Sequence, residues 1–223
     1  MVEYQLSGAV EARVGGIVAP LGGPKQRALL ALLLLAPNEV VSRDRLIDSL
    51  WGERAPESAQ RSLDTYVSRL RTLLGGDRIE RRPPGYRLRL EPGELDLDRF
   101  EALLEQGRAA AAARDAVMAR DRLGEGLALW RGRALADLAS EPPLGVEAER
   151  LEERRLLALE GRIDAELQLG GGGELVGELE RLVAEHSFRE RLIGQLMTAL
   201  YRGGRQADAL AAYQAFRRRF AQE

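Results

Sequence analysis

The 223-residue chain contains no cysteine, which excludes a disulfide scaffold, a thiolate zinc site and a cysteine nucleophile together. Histidine is nearly as scarce: His186 stands alone, so a multi-histidine metal site is excluded as well. Aromatic residues make up 5%, too few for an aromatic-rich β-sandwich. No apolar run approaches the roughly 20 residues needed to span a bilayer. The longest, residues 28–36, also lacks the N-terminal position and cleavage site of a signal peptide. Lysine is all but missing, since arginine outnumbers it 32 to 1. Arginine suits bidentate contacts with phosphate and guanine. The abundance of Ala, Gly and Leu, however, assigns the larger share of this bias to a GC-rich genome.

Catalytic arrangements are missing too. Gly22-Gly23-Pro24-Lys25-Gln26 has no Ser or Thr after the lysine and no earlier glycine at phosphate-loop spacing. Gly170 to Gly173 follows no strand and completes no dinucleotide fingerprint, so it reads as an inter-helix turn. Carboxylate pairs such as Glu152-Glu153 fall on charged helical surfaces, where salt bridging is the default. The expectation is a protein that is not an enzyme and needs neither cofactor nor metal.

What remains is a chain 45% hydrophobic and 30% charged, enough for a packed core in a soluble, cytoplasmic protein of one or two domains. Its net charge of −2 hides an asymmetry. Residues 1–90 carry 14 basic and 10 acidic side chains, a net of +4, whereas residues 91–223 carry a net of −6. Residues 61–89 hold eight arginines against Asp64, Asp77 and Glu80. A basic segment inside an acidic protein points to a polyanionic partner.

The first 22 residues alternate apolar and polar around Gly8, Gly15 and Gly16, as short strands do. Pro24 opens a helix over the apolar run 28–36, and Pro37-Asn38 stops it; apolar on nearly every side, it must be buried on nearly every side. Ser42 caps a short helix over 43–50, ended by Trp51-Gly52. Pro56 opens the next helix, which runs to Leu74 with Ala59, Leu63, Val67, Leu70 and Leu74 as one stripe. Residues 78–82 and 86–90 flank Pro83-Pro84-Gly85 as a hairpin with a basic tip. This order is that of a winged helix. From Leu95 onward the pattern reads as helical throughout. Ile163, Leu167, Gly170, Leu175, Leu179 and Leu182 recur 34 residues later as Met197, Tyr201, Gly204, Ala209, Tyr213 and Phe216, the tetratricopeptide spacing. The helical pattern still runs at Arg217 to Phe220, which points to a piece of a longer protein.

The fold class that follows is mainly α with a small β component. An N-terminal winged helix-turn-helix over residues 1–92 precedes an α-helical tetratricopeptide-like domain over 93–223. On the helix 56–74, Arg61, Thr65 and Arg69 stack at four-residue spacing opposite the apolar stripe. Such a face fits the major groove, where Arg bonds guanine and Thr meets a thymine methyl. A solvated charged face is the bland alternative for this helix alone. The short helix before it and the basic hairpin after it favour DNA.

The residues also carry a resemblance. Arg61-Ser62-Leu63-Asp64-Thr65-Tyr66-Val67-Ser68-Arg69-Leu70-Arg71 resembles the recognition helix of OmpR/PhoB-type winged helices, and Leu46 to Gly52 resembles their second helix. Arg82-Pro83-Pro84-Gly85-Tyr86-Arg87 is similar to their wing, with Pro83 in place of the first glycine, which stiffens the tip. A winged helix in first position with a helical repeat domain behind it resembles the Streptomyces antibiotic regulatory protein (SARP) family and its AfsR- and EmbR-like relatives. Leu95 to Phe100, Ala128 to Gly132 and Leu200 to Leu210 look like that family's bacterial transcriptional activation domain.

The resemblance implies a transcriptional activator of antibiotic-type secondary-metabolite genes. It would bind direct repeats in promoter DNA near the −35 element and recruit RNA polymerase. Arg61 and Tyr66 would hold phosphates, Thr65 and Arg69 would read bases, and Arg82 would enter the minor groove. Arg71 and Arg87 complete the DNA-binding set. The loop carrying Glu53, Arg54 and Glu57 would meet the polymerase σ subunit. The helical domain would add polymerase contacts and a homodimer contact on DNA, with no membrane partner. Two other readings stay open. One is a scaffold whose repeats grip a peptide beside an accessory winged helix. The other is a repressor using the same DNA contacts.

Overall fold

The computed structural model describes residues 2–220. It divides into two compact units: the chain to Ala102 together with Ala128–Arg154, and Leu103–Leu127 together with the chain from Arg155 on. Among the described residues no helix is long and apolar enough to cross a membrane.

The first unit begins with an antiparallel sheet in the order β1-β2-β3, built from Val2–Gln5, Glu11–Val14 and Ile17–Val18. Val2 and Tyr4 point inward while Glu3 faces solvent, the alternation the sequence shows. Helix α1, Pro24–Leu34, has proline in its first turn and buries Ala28 to Ala31, Leu33 and Leu34 to 2% exposure or less. It fills the centre of this unit, as its all-round apolarity requires.

Strand β4, Val40–Ser42, leads into α2, Arg43–Trp51. The Ser42 hydroxyl accepts from the Arg45 amide at 3.2 Å, and Gly52 at φ +58° ends the helix. Helix α3, Ala59–Leu74, starts at Ala59 rather than at Pro56. Pro56 opens a turn instead, closed by the Ala59 amide on the Pro56 carbonyl at 2.8 Å. The α3 stripe Ala59, Leu63, Val67, Leu70 and Leu74 is buried throughout, each leucine contributing about 1.5–3 kcal/mol.

The wing strands β5, Ile79–Arg82, and β6, Gly85–Leu88, meet at Pro83-Pro84. The sequence pattern did not mark β4, yet it pairs with β6 to give the sheet order β4-β6-β5, with Val41 opposite Tyr86 and Ser42 opposite Gly85. A Cβ at position 85 would lie 1.8 Å from the Val41 carbonyl oxygen, so only glycine allows the two strands to meet.

Helix α4, Asp96–Ala112, starts in this same unit. The buried Asp96 carboxylate accepts the Leu6 amide at 3.0 Å, the Ser7 amide at 3.0 Å and the Ser7 hydroxyl at 2.5 Å. The expectation of helix throughout from Leu95 fails over residues 128–141, which form turns between α5 and α6. Their amides bond elsewhere: Arg131 donates to the Ser7 carbonyl, Leu135 to Leu6 and Ala136 to Gly8. With those donors satisfied by the segment after β1, a helix has no claim on them.

The second unit holds the end of α4, α5 (Ala116–Leu127), the later part of α6 (Pro142–Gln168), α7 (Val176–Glu185), α8 (Glu190–Arg202) and α9 (Gln206–Phe220). Ile163, Leu167, Leu175, Leu179, Leu192, Leu196 and Leu200 form its core. The 34-residue period is visible in the backbone. Gly170 and Gly204 sit at φ +98° and +77°, after α6 and α8 respectively. In the first copy the Gly171 amide reaches the Glu166 carbonyl; in the second the Arg205 amide reaches that of Leu200. This is the same helix-closing turn twice.

Candidate nucleic-acid interface

Helix α3 turns Arg61, Thr65 and Arg69 to solvent on the face opposite its buried stripe. At 1.5 Å per residue the two arginines stand about 12 Å apart along the axis. The Thr65 hydroxyl donates to the Arg61 carbonyl at 2.9 Å, which leaves its methyl group free to face outward. Tyr66 is half-buried and stacks on Trp51 at 6.3 Å between ring centres, so α2 supports its ring. Arg71 is turned inward: its Nε donates to the Ile79 carbonyl at 2.7 Å and its guanidinium lies 6.0 Å from the Tyr86 ring centre. It braces the wing against α3.

On the wing, Arg82 is exposed and Arg87 half-buried, and both are held by one carboxylate. Glu80 Oε2 accepts from Arg82 Nε at 2.9 Å and from Arg87 Nη2 at 2.7 Å. Those hydrogen bonds, that of Arg87 above that of Arg82, hold the Glu80 carboxyl below its ordinary range. Arg71, Arg81, Arg82 and Arg89 line a groove of about 430 Å³ beside the hairpin. Glu53 and Arg54 lie in a single 3-10 turn, Gly52–Arg54, and Glu57 in the turn that follows; all three are exposed. They stand at the N-terminal end of α3, at the far end of the helix from the Arg71 brace.

Three residues to which sequence reasoning gave no role tie these parts together. Arg43, the first residue of α2, forms a fork on Asp64 of α3, Nη1 to Oδ1 at 2.5 Å and Nη2 to Oδ2 at 3.2 Å. The Tyr86 hydroxyl of β6 donates to Asp64 Oδ1 at 2.6 Å and accepts from Arg43 Nη1 at 2.6 Å. The Arg43 hydrogen bond, seconded by Tyr86, holds the Asp64 carboxyl well down, and the same contact raises the Arg43 guanidinium. Burial, then the bond to Asp64, raises the Tyr86 phenol. The signal in the sequence was slight: Asp64 and Tyr86 stand inside the helix and wing motifs, with nothing in their spacing to pair them with each other or with Arg43.

Chemically the surface offers guanidinium groups and a threonine methyl on a helix of groove-filling width, flanked by a cationic hairpin. It suits a duplex polyanion.

Comparison with known proteins agrees with this geometry. A family model described as "Transcriptional regulatory protein, C terminal" matches residues 21–88, and one described as "Bacterial transcriptional activator domain" matches residues 95–223. The Streptomyces griseus regulatory protein AfsR is 42% identical over 222 residues, covering 100% of this chain and 23% of its own length. The Streptomyces peucetius regulatory protein DnrI is 37% identical, covering 89% of this chain and 77% of its own. The solved structure of Mycobacterium tuberculosis EmbR, in complex with a low-affinity phosphopeptide, superposes with a TM-score of 0.95 at 38% identity; it covers 100% of this chain, which spans 60% of that one. The chain thus spans about a quarter of AfsR and under two thirds of the EmbR chain. With a winged helix in front of a bacterial transcriptional activator domain, it belongs to the SARP family of transcriptional regulators.

Proposed function

We propose that this protein is a sequence-specific DNA-binding transcriptional activator. In this reading residues 1–92 bind promoter direct repeats near the −35 element, and residues 93–223 serve activation. Arg61 and Tyr66 hold phosphates, Thr65 and Arg69 read base edges, and Arg82 enters the minor groove. The single observation that carries the reading is the exposed row Arg61, Thr65 and Arg69 on α3, beside a wing that adds further arginines. The exposed turn with Glu53, Arg54 and Glu57 is the contact for RNA polymerase through its σ subunit. AfsR and DnrI, both regulatory proteins of Streptomyces, support control of secondary-metabolite genes.

The test is selection of bound duplexes from fragmented genomic DNA, with Arg69→Ala as control. Enrichment of direct repeats spaced about 10–11 bp is expected, and Arg69→Ala should lose it. On the enriched site, Arg69→Ala should cost about 1–3 kcal/mol of base discrimination. Arg61→Ala should weaken all duplexes alike and flatten the salt slope by about one. Equal losses on cognate and scrambled DNA for Arg69→Ala would remove its base-reading role. No enrichment over the control would leave the helical repeats as the working surface and the protein as a scaffold.

A further inference from the structure

The Arg43, Asp64 and Tyr86 cluster has no chemistry of its own to perform, yet it joins α2, the recognition helix α3 and the wing strand β6. Arg43 does so twice, because its backbone amide donates to the Pro84 carbonyl at the wing tip at 3.2 Å while its side chain forks onto Asp64. Its guanidinium also lies 5.6 Å from the centre of the Tyr86 ring. Asp64 costs something to keep in a DNA-facing position, since its charge repels phosphate. The carboxylate offsets that cost by holding the Arg43 guanidinium of α2 and the Tyr86 hydroxyl of β6 against α3.

We propose that Asp64 is a positioning residue. With Arg43 and Tyr86 it fixes the wing relative to the recognition helix, so that Arg82 and the row Arg61, Thr65 and Arg69 engage one duplex together. The inference rests on the DNA-binding reading above. Two anchored elements gain because the second contact is made without a further loss of freedom; a loosened wing loses that advantage while the helix keeps its own contacts.

The experiment uses the full chain and its selected duplex, with hydroxyl-radical footprints and affinities for Asp64→Ala, Tyr86→Phe, Arg82→Ala and the doubles with Arg82→Ala. Tyr86→Phe keeps the buried ring and removes only the hydroxyl, so it serves if Asp64→Ala folds poorly. Asp64→Ala and Tyr86→Phe should erase wing protection in the minor groove while protection from α3 persists. Kd should rise about tenfold for Asp64→Ala. The Asp64→Ala/Arg82→Ala double should be little weaker than Arg82→Ala alone, since a mispositioned wing has nothing left to lose. Additive losses, or an intact wing footprint in both single variants, would overturn the proposal. If the wild-type chain protects no duplex, it is the DNA-binding reading that fails.

Discussion

In the proposed DNA-binding reading, Glu80 sets how much of the wing's charge a duplex can use. Its carboxylate takes one hydrogen bond from each of Arg82 and Arg87, so both cations are partly spent before a phosphate arrives. Glu80→Gln keeps the side-chain shape and removes the competing charge. Affinity should rise severalfold for cognate and scrambled duplexes alike, with a salt slope steeper by about one. Anisotropy titrations across a salt series test this, and an unchanged slope would mean the two arginines do not reach the backbone. Thermal stability should hardly move, because ion pairs at the protein surface contribute little. The arginines were legible as residues of a cationic hairpin. Their quenching was not, because it depends on Glu80 facing Arg87 across the β5–β6 ladder.

At the scale of elements, the wing is held by a strand that leaves almost no pattern. Val40–Ser42 is too short for alternation to declare itself, and it becomes a strand only because β6 offers it partners. Gly85 is where the two backbones approach, with 1.8 Å between an added Cβ and the Val41 oxygen. Gly85→Ala should therefore force β4 and β6 apart and cost about 1–3 kcal/mol or more, read as a lower urea midpoint. An unchanged midpoint would show that β4 can be displaced without penalty. Ser42, opposite Gly85, is also the cap of α2, so the loss should extend to faster amide exchange in that helix's first turn.

At the scale of the whole molecule, the first compact unit draws on residues far apart in the chain. Asp96 supplies the acceptor for two amides and a hydroxyl from residues 6 and 7, and residues 128–141 bond the carbonyls beside them. Asp96→Ala would leave the buried Leu6 and Ser7 amides unmatched, at about 1–3 kcal/mol each, while the Ser7 hydroxyl keeps the Leu129 carbonyl as its acceptor at 2.9 Å. The expected result is a loss of about 2 kcal/mol or more in urea, with early exchange of the Leu6 and Ser7 amides. Exchange confined to α4 would contradict it. Tyr4 adds a pH dependence to the same unit. Burial pushes its phenol from 10.0 to about 12, with Arg78 pulling it down and Glu94 pushing it up. The raised value means the neutral hydroxyl's contribution is complete below pH 10 and is lost as pH rises through about 12. Full ionisation should cost about 2–3 kcal/mol. Tyr4→Phe should remove that part of the alkaline decline; an identical decline in the variant would place its cause elsewhere.

Residue order alone was enough for the buried α1, the stripe of α3, the outward row Arg61, Thr65 and Arg69, the hairpin 79–88 and the 34-residue turn repeat. Each is written in spacing of two to four residues, in a capping side chain or in a glycine at a helix end, and such signals act on their own neighbourhood. Tertiary structure decided the rest. Helical composition over 128–141 yielded to backbone bonds with residues 6–8, and Asp96 found its donors 90 residues away. Asp64 became a hub because α2 and β6 bring it an arginine and a tyrosine. A carboxylate looks the same in sequence whether it is solvated or shared. Only the fold places its partners within bonding distance, where electrostatics chooses among them.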